Sequence, residues 1–337
     1  GSGYNTYLGA FSGYHNRTGY ANTYLGGNAG YGASGNSHSG NTGIGYQALK
    51  AITTGGSNST LGFGSGDALT TGHNNVAIGI SAIGVSTNVG YAVALGDTAL
   101  GAGNATDAAD GTVAIGQSAL RVLTSGGANV AIGKESGKAL TTGAHNTFVG
   151  TTTGDDMVEG SYNIAIGSDA LGGSKDSTAD SSQFNIFMGV NSGNGAWVTA
   201  VSQYNIGIGH YTLDGAMNGA VNNTAVGHQA LSAVTTADNN TAIGYQALNS
   251  AATAQNNTAV GYLALEELTF NGNSYNTAVG VESGKELTTG IKNTFIGGFA
   301  GAASTDLDLA VLIGYGAGDS VLTSDADGTV GIGAFAA

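Results

Sequence analysis

The sequence predicts an all-β fold, a β-solenoid (β-helix or β-roll) of about 19 coils, and three observations carry that expectation. A pentapeptide typified by Asn240-Thr241-Ala242-Ile243-Gly244 recurs nineteen times along 337 residues, most often at a spacing of 17. Every departure from 17 adds residues and none removes them, as expected of a fixed coil that tolerates insertions at a corner. Composition agrees: 61 glycines, no proline and only 9 % charged residues are far from an ordinary globular chain, while 41 % hydrophobic residues recurring in register argue against a flexible linker. Collagen needs glycine at every third position and abundant proline, and this chain has neither.

The elements of one coil follow from the repeat, numbered here from the residue that opens the pentapeptide. Position 1 is Asn in fifteen of nineteen copies, and Asn suits turns and stacked side-chain ladders. Position 4 is Leu, Ile, Val or Met in all nineteen, which predicts an inward column on a short strand. Leu25, Ile44, Ile78, Ile115, Ile132, Ile166, Ile243, Val260, Ile296 and Ile313 are the expected core residues. Position 2 shares that face because strand side chains alternate with period two. Position 3 then points the other way, yet it is small or apolar too, as Ala77, Ala242 and Phe148 show. Both faces therefore look covered, which predicts packing against a second or third copy of the chain, in a homotrimer.

Position 5 is glycine in every copy, including Gly45, Gly79, Gly116, Gly133, Gly167, Gly244, Gly261 and Gly297. These are expected at corners that need positive φ or leave no room for a Cβ. A small residue at position 8 and Leu or Gly at position 9 predict a second short strand. Where position 9 is Gly, as at Gly66, Gly137 and Gly284, an apolar residue follows at Leu69, Leu140 and Leu287, so a second apolar contact per coil is kept. No linker interrupts the repeat, which predicts one elongated domain over residues 1–337, with irregular coils near 97–111, 168–208 and 262–275. At about 4.8 Å per coil such a rod would be about 90 Å long.

Without cysteine the chain has no disulfide framework, thiolate metal site or cysteine nucleophile. No run reaches the roughly 18 apolar residues that span a bilayer, and residues 1–20 lack the blocks of a signal peptide, so no membrane insertion is expected. A net charge of −14 with eight scattered basic residues excludes a surface for nucleic acid.

The run from Asn239 to Leu248, with Thr-Thr-Gly segments such as Thr70-Thr71-Gly72, resembles the glycine-rich repeats in the shafts of bacteriophage tail fibres. It is also similar to the Ala-Ile-Gly head repeats of trimeric autotransporter adhesins. The resemblance covers essentially the whole chain and implies a structural shaft, trimeric and extracellular, at a cell surface or in a virion. This repeat is longer than the adhesin repeat of about fourteen residues, and the adhesin membrane anchor and the self-cleaving chaperone of many phage fibres are not in the sequence. The first repeat opens at Asn5 and the last closes at Gly333, four residues before Ala337, without polar caps, which predicts end-to-end stacking.

The inventory for chemistry is thin. His210 and His228 both follow the corner glycine and are expected to stack in adjacent coils, with Tyr245 and Tyr262 continuing a surface ladder rather than a metal site. Acidic pairs at Asp107/Asp110, Asp155/Asp156, Asp176/Asp180, Asp306/Asp308 and Asp325/Asp327 mark the irregular loops. They are expected as solvated loop charge, against calcium binding or a glycosidase pair. Six of fifteen tyrosines, Tyr4, Tyr7, Tyr14, Tyr20, Tyr24 and Tyr31, fall in the first 31 residues and predict an end interface or, less simply, a glycan platform. Adjacent Thr residues, as at Thr53-Thr54, Thr141-Thr142 and Thr288-Thr289, point to opposite strand faces and so do not form a flat ice-binding array.

The function expected is therefore a non-enzymatic structural repeat protein, the rigid shaft of an extracellular or virion fibre or a self-assembling surface filament, with no cofactor. The alternatives are an adhesin-like glycan- or ice-binding solenoid and a polysaccharide-cleaving tailspike. Self-association is the expected partnership, with a cell-surface glycan reached through further domains.

Overall fold

A computed structural model of the chain describes residues 3–173, 181–197 and 200–336. The chain divides into two compact units, Gly1–Asn163 and Ile164–Ala337. Each is a parallel β-solenoid. The first unit has nine turns, each contributing a three-residue strand, from Thr6–Leu8 to Thr147–Val149, and the second has ten, from Ile164–Ile166 to Val330–Ile332. Every strand is positions 2 to 4 of the repeat, and like stacks on like, as in the registers Val76↔Val93, Ala77↔Ala94, Ile78↔Leu95 and Thr241↔Thr258, Ala242↔Ala259, Ile243↔Val260. Insertions form local structure at a corner: 3₁₀ turns at Asp107–Ala109 and Ser324–Ala326, and a small parallel pair of Ala254–Gln255 with Gly272–Asn273.

Two ladders fix the register. The corner glycines have φ between +129° and +148°, a region closed to most L residues. Within each unit a Cβ on one of them would also stand closer than 3.0 Å to the carbonyl of the same glycine in the next turn, as Gly45 does to Gly62 and Gly244 to Gly261. Both reasons that sequence offers for glycine thus hold at once.

Position 1 supplies the second ladder. Asn58 Nδ2 donates to Asn41 Oδ1 at 3.1 Å and to the Gly72 carbonyl at 2.9 Å, while its own Oδ1 accepts the backbone N–H and Nδ2 of Asn75 at 3.1 and 2.9 Å. The same pattern links Asn129 to Asn146 and Asn163 in the first unit, and Asn205, Asn223, Asn240 and Asn257 in the second. These side chains are buried, and a buried amide is stable only when all its donors and acceptors are used. Here the adjoining turns use them.

The core lies on the other face of the strand from the one expected. Position 3 is fully buried in turn after turn, at Ala77, Ala114, Phe148, Phe187, Ala242 and Phe295. The expected column at position 4 faces outward: Leu25 and Ile78 are each 43 % exposed, Ile132, Ile243 and Ile296 are exposed, and Ile44, Ile115, Ile166, Val260 and Ile313 are half-buried. Alternation was the right rule with the wrong phase, because uniform apolarity marks the sheet face here and variable size marks the core. The second strand expected at positions 6 to 9 is also replaced. Positions 7 and 9 both take left-handed φ, as at Gln47 (61°) and Leu49 (53°), which bends the chain into tight turns instead of a strand.

Volume is exchanged between positions 3 and 9. Small residues at position 3 face Leu or Ile at position 9, as in Ala114/Leu120 and Ala242/Leu248, all buried. Large ones face glycine: a Cβ on Gly30, Gly154, Gly193 or Gly301 would collide with the ring of Tyr24, Phe148, Phe187 or Phe295 respectively. Where both are small, as at Ala131/Gly137, side chains of the turns on either side fill the gap, since a Cβ on Gly137 would lie 2.8 Å from Leu120 and 3.0 Å from Phe148. Position 12 completes the core, and Leu69, Leu140 and Leu287 are fully buried as expected.

Candidate functional site

The interior is spent on stacking, so candidate sites lie on the surface, where the repeat sorts residues into columns. Positions 2 and 4 form an uncharged sheet face in each unit, apolar throughout at position 4 and alternating between Thr or Ser and Val or Ile runs at position 2, as in Val76, Val93, Val113 and Val130 beside Ile78, Leu95, Ile115 and Ile132, and Ile164, Ile186 and Ile206 beside Ile166, Met188 and Ile208. Position 6 adds stacked rings, with Tyr46 on Phe63 at 5.6 Å, and His228, Tyr245 and Tyr262 in series at 5.5 and 5.3 Å. The expected ladder forms from His228 onward. His210 instead turns its Nδ1 to accept the Val190 N–H at 3.0 Å.

Positions 7 and 10 make a second, polar face. Column 10 of the first unit reads Tyr14, Tyr31, Lys50 and Asp67 in four successive turns, and later Arg121, Lys138 and Asp155. Lys138 is held at 3.0 Å by both Glu135 and Asp155. Burial raises the Asp155 carboxyl above its ordinary range despite that ion pair, while the hydrogen bonds that Lys138 donates to Asp155 and Glu135 raise its ammonium. Four concavities lie along this face. One of 320 Å³ is lined by Phe11, Asn28, Tyr31 and Lys50, and one of 510 Å³ shares Tyr31 and Lys50 and continues to Thr53, Asp67 and Thr70. A third of 380 Å³ lies against Thr98, Ser118, Arg121 and Lys138, and in the second unit one of 360 Å³ lies between Phe299, Tyr315, Asp319 and Phe335.

The six early tyrosines do not form one surface. Tyr24 is core, stacked at 5.5 Å on Tyr7, so its place in an end interface is corrected. Tyr14 stacks on Tyr31 at 5.6 Å on the polar face, whereas Tyr4 is 94 % exposed on the corner before the first strand and Tyr20 lies exposed elsewhere. Behind Tyr24 sits a group that sequence reading passed over. His38 is 1 % exposed, its Nδ1 is 2.9 Å from the Tyr24 hydroxyl, and its Nε2 has no hydrogen-bond partner. Burial lowers the imidazole to about 4 and raises the Tyr24 phenol. Its only sequence signal is a histidine inside a lengthened turn, two residues beyond the regular period.

Three of the paired acids accept backbone N–H groups at corners. Asp110 accepts the Gly90 N–H at 2.6 Å, Asp308 the Ile291 N–H at 2.7 Å, and Asp327 the Asp308 N–H at 2.8 Å. Asp176 and Asp180 lie outside the described residues. Among the described residues no three His, Asp or Glu side chains converge as metal ligands. Burial raises the Asp214 carboxyl to about 6, on column 10 of the second unit. The Thr pairs use their first hydroxyl along the stack: Thr53, Thr70, Thr141 and Thr288 donate to carbonyls of the next turn at 2.9 to 3.0 Å.

Comparison with protein-family models, with curated proteins and with solved structures finds no match to this chain.

Proposed function

We propose that the chain is a non-enzymatic structural repeat protein, the shaft of an extracellular or virion fibre or the subunit of a surface filament. The observation that supports this reading is the use of the most constant positions. Asn at position 1 and Gly at position 5 are occupied by contacts to the same residue one turn away. A sequence that spends its constant residues on turn-to-turn register is selected for stiffness along the stack. The extracellular or virion setting is inferred from the resemblance of the repeat to fibre shafts.

Self-association, with three chains as the expectation from the resemblance, is supported by the uncharged sheet face, whose position 4 is apolar in every turn. Positions 2 and 4 carry no charged residue in any of the nineteen turns, yet they stay half-exposed or exposed in a single chain. Faces of this kind mark interaction surfaces in soluble proteins. Electron microscopy of the purified chain paired with light scattering tests the reading. Uniform fibres, or discrete particles with the mass of three chains, are expected; a single-chain mass at every concentration would overturn it.

A further inference from the structure

We infer that the paired concavities across the first four turns form a binding site for an acidic saccharide, one whose sugar rings carry a carboxylate. The inference is independent of the shaft reading, since it concerns one local departure from the repeat.

The departure is in columns 7 and 10. In most turns these positions hold small or polar residues, whereas the first two turns place Phe11, Tyr14 and Tyr31 there, followed by Lys50 and Asp67 in the next two. The rings hold one another: Tyr31 is stacked on Tyr14 at 5.6 Å and an interplanar angle of 8°, and meets Phe11 edge-on at 6.5 Å and His15 at 4.8 Å. An aromatic surface fixed by three neighbours loses little freedom when a ligand settles on it. The two concavities that share Tyr31 and Lys50, of 320 and 510 Å³, fall in the range of about 300–1,000 Å³ typical of ligand sites.

The chemistry of the lining selects the ligand class. Aromatic walls take an apolar face, while Asn28 offers both donors and an acceptor, and the Thr53 and Thr70 hydroxyls keep free lone pairs. A sugar ring presents that combination, a C–H face bounded by hydroxyls. Charge then chooses among sugars. Lys50 is exposed and lies on both concavities, and among the described residues its ammonium makes no ion pair within 4.0 Å, feeling Asp67 only at longer range. In a chain of net charge −14, an unpaired ammonium against an aromatic wall is a point of attraction for a carboxylate. The other hollows lack this combination. The hollow at Arg121 and Lys138 has no aromatic residue in its lining, and the hollow between Phe299 and Phe335 carries only an acid, Asp319.

Gly32 lines the larger concavity with φ +71°, and a Cβ on it would stand 3.1 Å from the Ile52 carbonyl and 3.3 Å from His38 Nε2, so the wall has no room for a side chain there. The carboxylate is assigned to the end between Phe11, Asn28 and Lys50, and neutral hydroxyls to the end near Asp67, which would repel a second acid.

Calorimetric titration of the full chain with oligogalacturonate, with its methyl-esterified counterpart and with a sialylated trisaccharide tests the site. Binding of at least one acidic probe is expected with Kd of about 1 mM or tighter, and at least about tenfold weaker binding of the neutral ester. Lys50→Met is expected to remove about tenfold from the acid and nothing from the ester, and Tyr31→Ala to remove both. Tyr262→Ala, in the second unit, should change neither. Because Lys50 is exposed, its variant keeps the native melting curve even if Tyr31→Ala does not. No heat from either acid up to about 10 mM, equal affinity for acid and ester, or an unchanged acid affinity in Lys50→Met would each overturn the inference.

Discussion

At the residue scale the fold rests on atoms with one allowed neighbour. Asn146 donates to Asn129 Oδ1 at 3.1 Å and to the Gly160 carbonyl at 2.8 Å, and accepts the Asn163 N–H at 2.9 Å. Truncation to Ala strands several buried polar groups at once, each worth about 1–3 kcal/mol, so Asn146→Ala is expected to cost about 3 kcal/mol or more in denaturant unfolding. Leu, closer in volume, should not rescue it, because the loss is of hydrogen bonds and not of packing. Gly244→Ala combines a disallowed φ of +142° with a backbone collision and is expected to prevent the native stack, read as loss of the native circular dichroism spectrum. His38 gives a pH signature. Its folded pKa, about 4, lies below the ordinary value of 6.5, so between those values the unfolded chain binds the extra proton. Stability is therefore full above about 6.5 and falls as pH drops toward 4, by about 3 kcal/mol in all. Asp214, raised to about 6, runs in the opposite sense, so the readout is the difference between the wild type and His38→Phe, whose melting temperature should lack the acid-side fall that His38 contributes.

At the scale of one turn, packing is a conversation between positions 3 and 9. Phe148 fills space that Gly137 and Gly154 leave open, whereas the turn of Ala114 and Leu120 reaches the same density with the volumes reversed. Phe148→Ala alone should cost about 3–5 kcal/mol, and Leu at either glycine alone about 1–3 kcal/mol. The triple variant Phe148→Ala, Gly137→Leu, Gly154→Leu rebuilds the Ala/Leu pattern that Ala225/Leu231, Ala242/Leu248 and Ala259/Leu265 already carry in three successive turns. It is expected to lie within about 2 kcal/mol of the wild type in urea unfolding, far from the sum of its parts. The left-handed backbone at position 9 tolerates this, because Leu248 adopts φ +52° there.

That exchange also explains which parts of the structure the sequence disclosed. The turn, its length and its glycine corner were legible because each is fixed by one residue repeated at constant spacing. The strand phase was not: position 4 is the most uniformly apolar site, but Ile243 faces outward, while position 3 varies from Gly43 to Phe295 and is the core. Its meaning appears only when position 9 is read with it, six residues away. The second strand failed for a related reason, since Leu49 looks like a strand residue and sits in a left-handed bend. The groove was half legible. The early tyrosines were visible as a cluster and the repeat numbering puts Tyr14, Tyr31, Lys50 and Asp67 at one position, but only the fold shows that this position lines a surface groove while Tyr24 belongs to the core.

At the scale of the molecule, charge and apolarity are separated by column, and the two surfaces should answer salt in opposite ways. The sheet face is uncharged, but it belongs to a chain of net charge −14, so copies that approach through it repel one another at long range. Raising ionic strength from about 0.05 M to about 0.5 M shortens the Debye length several-fold and removes that repulsion without weakening apolar burial. Self-association is therefore expected to tighten with salt in sedimentation or light scattering. Binding of an acidic saccharide at Lys50 should weaken over the same range. Ile243→Glu puts a charge on the face at a residue 40 % exposed, where the single chain tolerates it but a second copy would have to bury it. Its circular dichroism and melting should match the wild type while its mass falls to one chain or rises only at much higher concentration. A variant that folds and still assembles as the wild type does would place the contact between copies somewhere other than the columns of positions 2 and 4.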